Sequence, residues 1–175
     1  MKKISLLLSA LAGVLSFAQG SPLVIQNYSS FDAVGRLRTG TPGTPGPYMF
    51  AAPNFPYGSY TVPAGASTQY NTFDTSGTAS LPITIWYVGD ATNPANNGSY
   101  PYNHPFITSV MNPSNIWGGF HFFLTDTSTG NTDTYQLGNP IVYPGFSPSI
   151  TGAFSSADWF TITTPSGPVT YLQIF

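Results

Sequence analysis

The sequence predicts an all-β fold, an antiparallel β-sandwich or jelly roll of about ten short strands that follows a cleaved signal peptide. Three observations predict it. Beyond residue 18 the chain has no Glu and no Lys, on which exposed helix faces depend, whereas Thr, Tyr, Phe, Val and Ile are abundant. The 18 Gly and 17 Pro divide the chain into short runs. The connections between these runs are turn-like and do not resemble the helical crossovers that a parallel sheet needs.

The N-terminus has the pattern of a secretory signal peptide. Lys2 and Lys3 precede an apolar run over 4–14, and the small residues Ser16 and Ala18 match what a signal peptidase requires. The apolar stretch is shorter than the ~20 residues that cross a bilayer, so membrane insertion is disfavoured. We therefore expect residues 1–18 to be removed and residues 19–175 to form a single domain that is secreted or displayed at the cell surface.

Runs with strand character alternate with turn residues along the rest of the chain. The breaker-rich segment 40–47 predicts a loop, and residues 126–131 predict the turn of a hairpin. The run 81–88 is apolar almost throughout, as in a strand that is buried on both faces. The predicted strands are 23–28, 31–39, 67–73, 81–88, 106–111, 120–125, 132–137, 141–143, 149–154, 159–163 and 169–175.

Composition excludes several classes of function. Residues 19–175 carry two arginines against six aspartates, a net charge of −4 that disfavours nucleic acid as a partner. The absence of Cys excludes disulfides, thiolate metal sites and cysteine nucleophiles. No Gly-rich phosphate loop precedes a helix-like segment.

Catalytic motifs are equally scarce, which favours a non-enzymatic protein. The segment Asp74-Thr75-Ser76-Gly77 differs in spacing from the aspartic-protease signature and is interpreted as an Asp-initiated turn. His121 lies in a strand run where it shares a face with Phe123, opposite Phe120 and Phe122. A secreted hydrolase stays open because a Ser-His-Asp triad assembles from distant positions. An outer-membrane barrel also stays open, although its strands of ~10 residues exceed these runs.

Aromatic residues in two loops, 54–60 and 97–104, are the main candidates for a binding face. Tyr there alternates with Asn, Ser and Gly, a mixture that combines rigid contact area with adaptable hydrogen bonding. Aromatic platforms bordered by polar groups suit sugar rings, so the predicted partner is a glycan or another cell-surface ligand. The alternative is that these tyrosines pack under the loops of the sandwich. The candidate ligand-binding residues are Tyr57, Tyr60, Tyr100, Tyr102, Asn103, His104 and Trp117.

The hairpin loop also contains oxygen ligands suited to calcium. Asp126, Asn131 and Asp133 lie close together in sequence, although the spacing is not that of an EF-hand. The same residue types are preferred in plain turns. Calcium is the one cofactor that the sequence suggests.

Low charge supports a second interpretation, in which the chain binds copies of itself. Most soluble domains are about a quarter charged, whereas only 6% of this chain is charged. A neutral surface of Thr, Ser, Asn and Tyr lacks the usual electrostatic barrier to association. The terminal run 169–175 is a predicted strand that either closes its own sheet or pairs with a neighbour. An extracellular fibre or coat subunit is therefore the alternative to a glycan-binding module.

Overall fold

The described residues fold into two packed β-sheets that contain twelve strands. The computed structural model describes residues 21–43, 46–52 and 59–175. The strands are β1 (Leu23–Asn27), β2 (Ala33–Gly40), β3 (Tyr48–Ala51), β4 (Tyr60–Val62), β5 (Ser67–Tyr70), β6 (Ile85–Gly89), β7 (Gly98–Pro101), β8 (Ile116–Thr125), β9 (Thr132–Gly138), β10 (Ser149–Thr151), β11 (Ser156–Thr164) and β12 (Gly167–Ile174).

The smaller sheet has the order β10-β11-β12-β1-β5, and the larger sheet has the order β7-β6-β3-β2-β8-β9. Strand β4 pairs with the first half of β2, and β3 pairs with its end. The strand pairs are antiparallel except for β1 and β12, which run parallel. The predicted all-β sandwich is confirmed.

Aromatic side chains fill the space between the sheets. Their rings form a continuous cluster; Trp117, for example, contacts Tyr70, Phe73 and Trp86 at centroid distances of 4.8 to 5.9 Å. This burial replaces the missing disulfides as the main source of stability. The fully buried aromatic residues are Tyr70, Phe73, Trp86, Phe120, Phe122 and Tyr135.

Strand alternation confirms the predicted orientation of β8. Phe120 and Phe122 are buried in the core, whereas His121 is half-buried and Phe123 is exposed. The prediction that 81–88 is buried on both faces is wrong, because β6 alternates and its outer side chains are only partly covered.

Two of the predicted strands are not strands. Residues 106–111 fall mainly in a π-helix, Ile107–Met111, which continues into a helical turn, Asn112–Ser114. Pro105 precedes this helix. The carbonyl of His104 accepts hydrogen bonds from the backbone amides of Ile107 and Thr108, so the helical hydrogen-bond pattern begins at His104. Residues 141–143 form turns. Three short strands, β3, β4 and β7, were not predicted because loop-like Tyr, Pro and Gly surround them.

The predicted signal peptide lies outside the described residues. Within the part that is described, no helix is long and apolar enough to span a membrane.

Candidate functional site

The outer face of the larger sheet displays both arginines of the chain. Arg36 and Arg38 alternate with the fully buried Leu37 on β2, so both guanidinium groups lie on the side that faces away from the core. They are the only Lys or Arg residues beyond Lys3. Strand β2 is central in its sheet, which places this positive charge in the middle of a broad face.

Strand register brings aromatic and polar side chains beside the two arginines. Arg36 is opposite His121 on β8, and Arg38 is opposite Phe50 on β3. Phe50 in turn pairs with Tyr87 on β6, and the two rings stack at 5.0 Å. The guanidinium carbon of Arg36 lies 5.4 Å from the centroid of the Phe50 ring, a cation–π contact. The aromatic row therefore orients one arginine.

The connection between β9 and β10 folds back over β8 and orients the other arginine. A Cβ on Gly119 would lie 2.5 Å from the Phe146 ring, so glycine allows this ring to pack on the sheet. Phe146 and Tyr143 each place a ring centroid 5.9 Å from the guanidinium carbon of Arg38. Burial raises the pKa of Tyr143 to about 12, and its hydroxyl donates to the carbonyl of Thr39 at 2.8 Å. These contacts anchor the wall of a groove.

No carboxylate neutralises the two arginines. All six aspartates of the chain lie in the described ranges, and none forms an ion pair with Arg36 or Arg38. Arg38 Nε is buried and has no hydrogen-bond partner among the described residues. Buried donors are normally paired, so this unpaired N–H is an exception among the described side chains.

His121 adds a polar group without adding charge at neutral pH. Burial, together with the positive charges of Arg38 and Arg36, lowers its pKa below the ordinary value of 6.5. At pH 7 the two arginines therefore give this face a charge of +2, and the imidazole of His121 is a neutral hydrogen-bonding group.

Two open grooves meet at the arginines. One, of about 370 Å³, is also lined by Ser59, His121, Phe123 and Thr134. The other, of about 350 Å³, is lined by Tyr48, Phe50 and Tyr143. Phe123 in the first groove and Tyr48 in the second are each 42% exposed, so an accessible ring lies on either side of the arginine pair. We call this surface the arginine face; it comprises Arg36, Arg38, Tyr48, Phe50, His121, Phe123, Tyr143 and Phe146.

Two residues predicted as displayed platforms are buried instead. Tyr60 and Trp117 are each 2% exposed. Tyr70 donates its hydroxyl proton to the carbonyl of Leu81, so Tyr60 donates to the Tyr70 oxygen at 2.5 Å. Burial raises the pKa of both tyrosines. The Tyr60 and Trp117 rings therefore belong to the core. Alternation along β4 turns Tyr60 inward. Trp117 has the same parity on β8 as the outward-facing His121, but a register shift in the pairing of β8 with β2, between Arg38 and Thr39, lies between the two residues and allows Trp117 to face the core.

Four other predicted ligand residues, which run from Tyr100 to His104, lie at or next to the far edge of the larger sheet. Tyr100 is on β7, separated from β2 by β6 and β3. Its ring lies 4.8 Å from that of His104, whose Nδ1 accepts the amide N–H of Phe106. Tyr102 is half-buried against Gly77, and Asn103 is exposed. Tyr57 falls outside the described residues.

The structure does not bring the predicted calcium ligands into one site. Asp126 accepts hydrogen bonds from Ser128 and Thr129 in its own turn. Asp133 is buried on the inner face, and the backbone N–H of the exposed Asn131 donates to the Thr129 hydroxyl. In the ranges that the structure describes, no three His, Cys, Asp or Glu side chains are grouped as a metal site.

Sequence reasoning missed Arg36 and Arg38, although a signal was available. Alternate positions of one strand share a face, so an Arg-x-Arg pair in a predicted strand of an otherwise uncharged chain indicates a localised positive site. Comparison with known proteins adds nothing to this geometry: no protein-family model matches the chain, and no curated protein or solved structure matches it either.

Proposed function

We propose that this chain is a secreted, non-enzymatic binding module that recognises an acidic glycan through its arginine face. The observation that carries the proposal is the pair of arginines, which no carboxylate of the chain neutralises and which aromatic rings hold in place. Cation–π contacts limit the freedom of long side chains, so less conformational entropy is lost when a ligand binds.

A carboxylate is the ligand group that best complements this face. Guanidinium groups bind planar oxyanions through paired, charge-assisted hydrogen bonds. The Nε of Arg38 is buried and lacks an acceptor, and a ligand carboxylate supplies one once the side chains that cover this N–H move aside. His121, neutral in the free protein, lies opposite Arg36 and carries a further hydrogen-bond donor.

The surroundings of the arginines suit a sugar that carries this carboxylate. The exposed rings of Tyr48 and Phe123 offer apolar contact for the C–H face of a pyranose. Ser59 and Thr134 line the groove beside Phe123 and offer hydroxyls for those of the sugar. The combination of charge, ring and hydroxyl therefore favours a uronic acid or another sugar acid over an isolated inorganic anion.

Charge balance argues against a polyanion such as nucleic acid. Two arginines neutralise few phosphates, and the six aspartates leave the exported chain negative as a whole. A ligand with separated carboxylates meets the local positive charge and avoids the repulsion that a dense polyanion experiences.

The binding test uses isothermal titration with trigalacturonic acid and with its methyl ester, which lacks only the charges. We expect the acid to bind and the ester to bind at least tenfold more weakly. Replacing either Arg36 or Arg38 with Gln removes hydrogen bonds to a charged group, about 1.5–3 kcal/mol, or about ten- to a hundredfold in affinity. Lys at the same position keeps the charge and recovers only part of the affinity.

The matched control is Thr163→Asp, which changes the net charge by the same amount on the exposed surface of β11 in the other sheet. Affinity within twofold of the parent protein is expected for this control. Equal losses in the control and in the arginine variants would show that binding reflects net charge alone. Binding of acid and ester with equal affinity would overturn the proposal.

A second candidate function, self-association, is favoured by the outer face of the smaller sheet. Phe160 and Ile162 on β11 are 37% and 48% exposed. The Phe160 ring stacks on Tyr171 of β12 at 5.3 Å, and Tyr171 is paired in turn with Val24 of β1. Two copies could cover this apolar row against each other, because no basic residue and only Asp158 lies near it on β11.

Light scattering on a size-exclusion column, over a wide range of concentration, tests self-association. If the smaller sheet mediates self-association, the molecular mass of the parent protein rises with concentration. The mass of the double variant Phe160→Ser/Ile162→Thr then stays at the monomer value. A monomer at all concentrations removes this candidate and leaves the glycan proposal untouched.

A further inference from the structure

A separate cavity of about 270 Å³ is lined by none of the residues of the arginine face. It lies where the 3-10 helix Phe73–Thr78 meets the helical segment that ends in Asn112–Ser114. The side-chain oxygen of Asn112 accepts the amide N–H of Phe73 at 3.0 Å and joins the two segments. Phe73 and Trp117 form the inner wall of the cavity, and their rings pack edge to face at 4.8 Å.

Polar groups that line this cavity keep unused hydrogen-bonding capacity. Asp74 accepts one hydrogen bond, from the Thr72 hydroxyl at 2.7 Å, on only one of its two oxygens. The side-chain oxygen of Asn112 accepts the hydrogen bond from Phe73, and its NH₂ group remains available as a donor. Within the described ranges the indole N–H of Trp117 has no hydrogen-bond partner.

Trp86, in the same aromatic cluster, differs from Trp117 because its indole N–H is hydrogen-bonded. Its indole N–H donates to the carbonyl of Phe73 at 3.2 Å and to Ser76 Oγ at 3.1 Å. Indole N–H groups in protein interiors are normally paired in this way. The Trp117 N–H has no such partner in the described residues and is not among the buried unpaired atoms, so on a residue that lines a cavity it is an accessible donor for a ligand.

The mixture of donors and acceptors selects the chemistry of the ligand. An ammonium group only donates, so it cannot pair with the Trp117 N–H or the Asn112 NH₂. A carboxylate only accepts and would be repelled by Asp74. A hydroxyl both donates and accepts, and neighbouring hydroxyls on one ring meet all three groups.

We infer that this cavity is a second binding site, which takes one uncharged sugar ring. Ligand pockets usually span about 300–1,000 Å³, so this cavity, at the lower limit, has room for a single ring and not for a chain of sugars. Thr108, which also lines it, supplies a further hydroxyl. The site shares no residue with the arginine face and does not depend on the function proposed for that face.

The test follows the three tryptophan indole N–H signals of the ¹⁵N-labelled protein by NMR. The variant Trp117→Phe identifies the Trp117 signal by its disappearance. Methyl glucoside, methyl galactoside and methyl mannoside are each titrated, with methylammonium as the cationic comparison. We expect at least one glycoside to shift the Trp117 signal saturably, while the signal of Trp159, on the smaller sheet, remains in place.

Asp74→Asn is the variant that tests the ligand contact, because it keeps the shape and removes the charged acceptor. We expect it to weaken glycoside binding by about ten- to a hundredfold. Asp126→Asn, in the exposed turn after β8, is the matched control and leaves affinity unchanged. If Asp74→Asn does not fold, Thr108→Val at an exposed helical position replaces it, with a smaller loss expected.

Two results would overturn the inference. One is the absence of a saturable shift of the Trp117 signal with all three glycosides. The other is a saturable shift with methylammonium that exceeds any glycoside effect, which would assign the cavity to an amine.

Discussion

Asp133 provides the sharpest test of how the two sheets are held together. It lies on β9, at the edge of the larger sheet, and its carboxylate accepts hydrogen bonds from the loop between β10 and β11 of the smaller sheet. The amide of Ala153 donates to one oxygen at 2.8 Å. The amide of Phe154 at 3.0 Å and the hydroxyl of Ser155 at 2.8 Å donate to the other. Gly152 permits this approach, because a Cβ there would lie 2.3 Å from the carboxylate.

Asp133→Asn keeps the shape of the side chain and replaces one acceptor oxygen with a donor. The amide of Phe154 or of Ala153 then faces an NH₂ group and loses its partner, which costs about 1–3 kcal/mol. The remaining hydrogen bonds become neutral and lose about 1 kcal/mol more. We therefore expect the free energy of unfolding at pH 7 to fall by about 2–4 kcal/mol, measured in urea as a lower midpoint at constant slope.

The pH dependence of this loss has a definite sign. Burial acts to raise the pKa of Asp133, but hydrogen bonds from Ala153, Phe154 and Ser155 outweigh it, and the pKa lies below the ordinary 3.8. A depressed pKa in the folded state contributes stability above the unfolded-state value, and this contribution disappears as pH falls through the folded-state value. The difference between the parent protein and Asp133→Asn should therefore shrink below about pH 4.

Asp126→Asn is the control, because Asp126 accepts hydrogen bonds only within its own exposed turn. Its replacement should therefore reduce the free energy of unfolding much less. A loss for Asp133→Asn no larger than that of the control would refute the account. So would a difference that is equally large at pH 7 and at pH 2.

Four further predictions concern the core tyrosines, Gly35, Asp90 and His121. Tyr70→Phe should cost about 1–3 kcal/mol in urea unfolding and Tyr60→Phe less, because Tyr70 links two partners. Gly35→Ala should cost at least about 2 kcal/mol by the same assay, since its Cβ would lie 2.1 Å from the carbonyl oxygen of His121. Hydrogen bonds from Thr92 and Asn96 lower the pKa of Asp90 to about 2, so Asp90→Asn should flatten the acid-side loss of stability between about pH 4 and pH 2. Trigalacturonate should raise the pKa of His121, so affinity measured by titration should increase as pH falls below 6.5, and His121→Gln should abolish this increase.

Each of these predictions has its own contradicting result. Tyr60→Phe costing more than Tyr70→Phe would reverse the assigned order of donors. An unchanged stability of Gly35→Ala would mean that β2 and β8 are not as close as the structure places them. If the stability of Asp90→Asn falls with pH as that of the parent protein does, the hydrogen bonds in the Asp90 loop are not the cause of the acid-side loss. If the affinity for trigalacturonate does not depend on pH, His121 does not contact the ligand.

The all-β architecture was predictable because composition and strand alternation both reflect local chemistry. The alternation of Phe120, His121 and Phe122 is visible in the sequence and survives in β8. The helix over Ile107–Met111 was not predictable, because a short apolar run fits either a strand or a helix, and the deciding hydrogen bonds come from the preceding turn. The pairing of β1 with β12 joins segments that are far apart in sequence, which no local pattern indicates.

The candidate site was less predictable than the fold. Tyr60 and Trp117 are adjacent to turn residues in the sequence, but long-range packing against Tyr70 determines that they are buried. The contacts of Arg38 with Tyr143 and Phe146 span more than a hundred residues of chain and depend on a loop folding over β8. Alternate spacing alone was enough to place Arg36 and Arg38 on one face.

The most direct measurement of the central claim follows the arginines themselves. Because Arg36 and Arg38 are the only arginines in the chain, the ¹⁵N spectrum of arginine Nε–H groups contains two signals. Titration with trigalacturonic acid should shift both saturably and move the Arg38 signal further, because its buried Nε gains an acceptor. The methyl ester should leave both signals in place. An acid that binds elsewhere on the protein without moving either signal, or an ester that moves them equally, would contradict recognition of a carboxylate at this face.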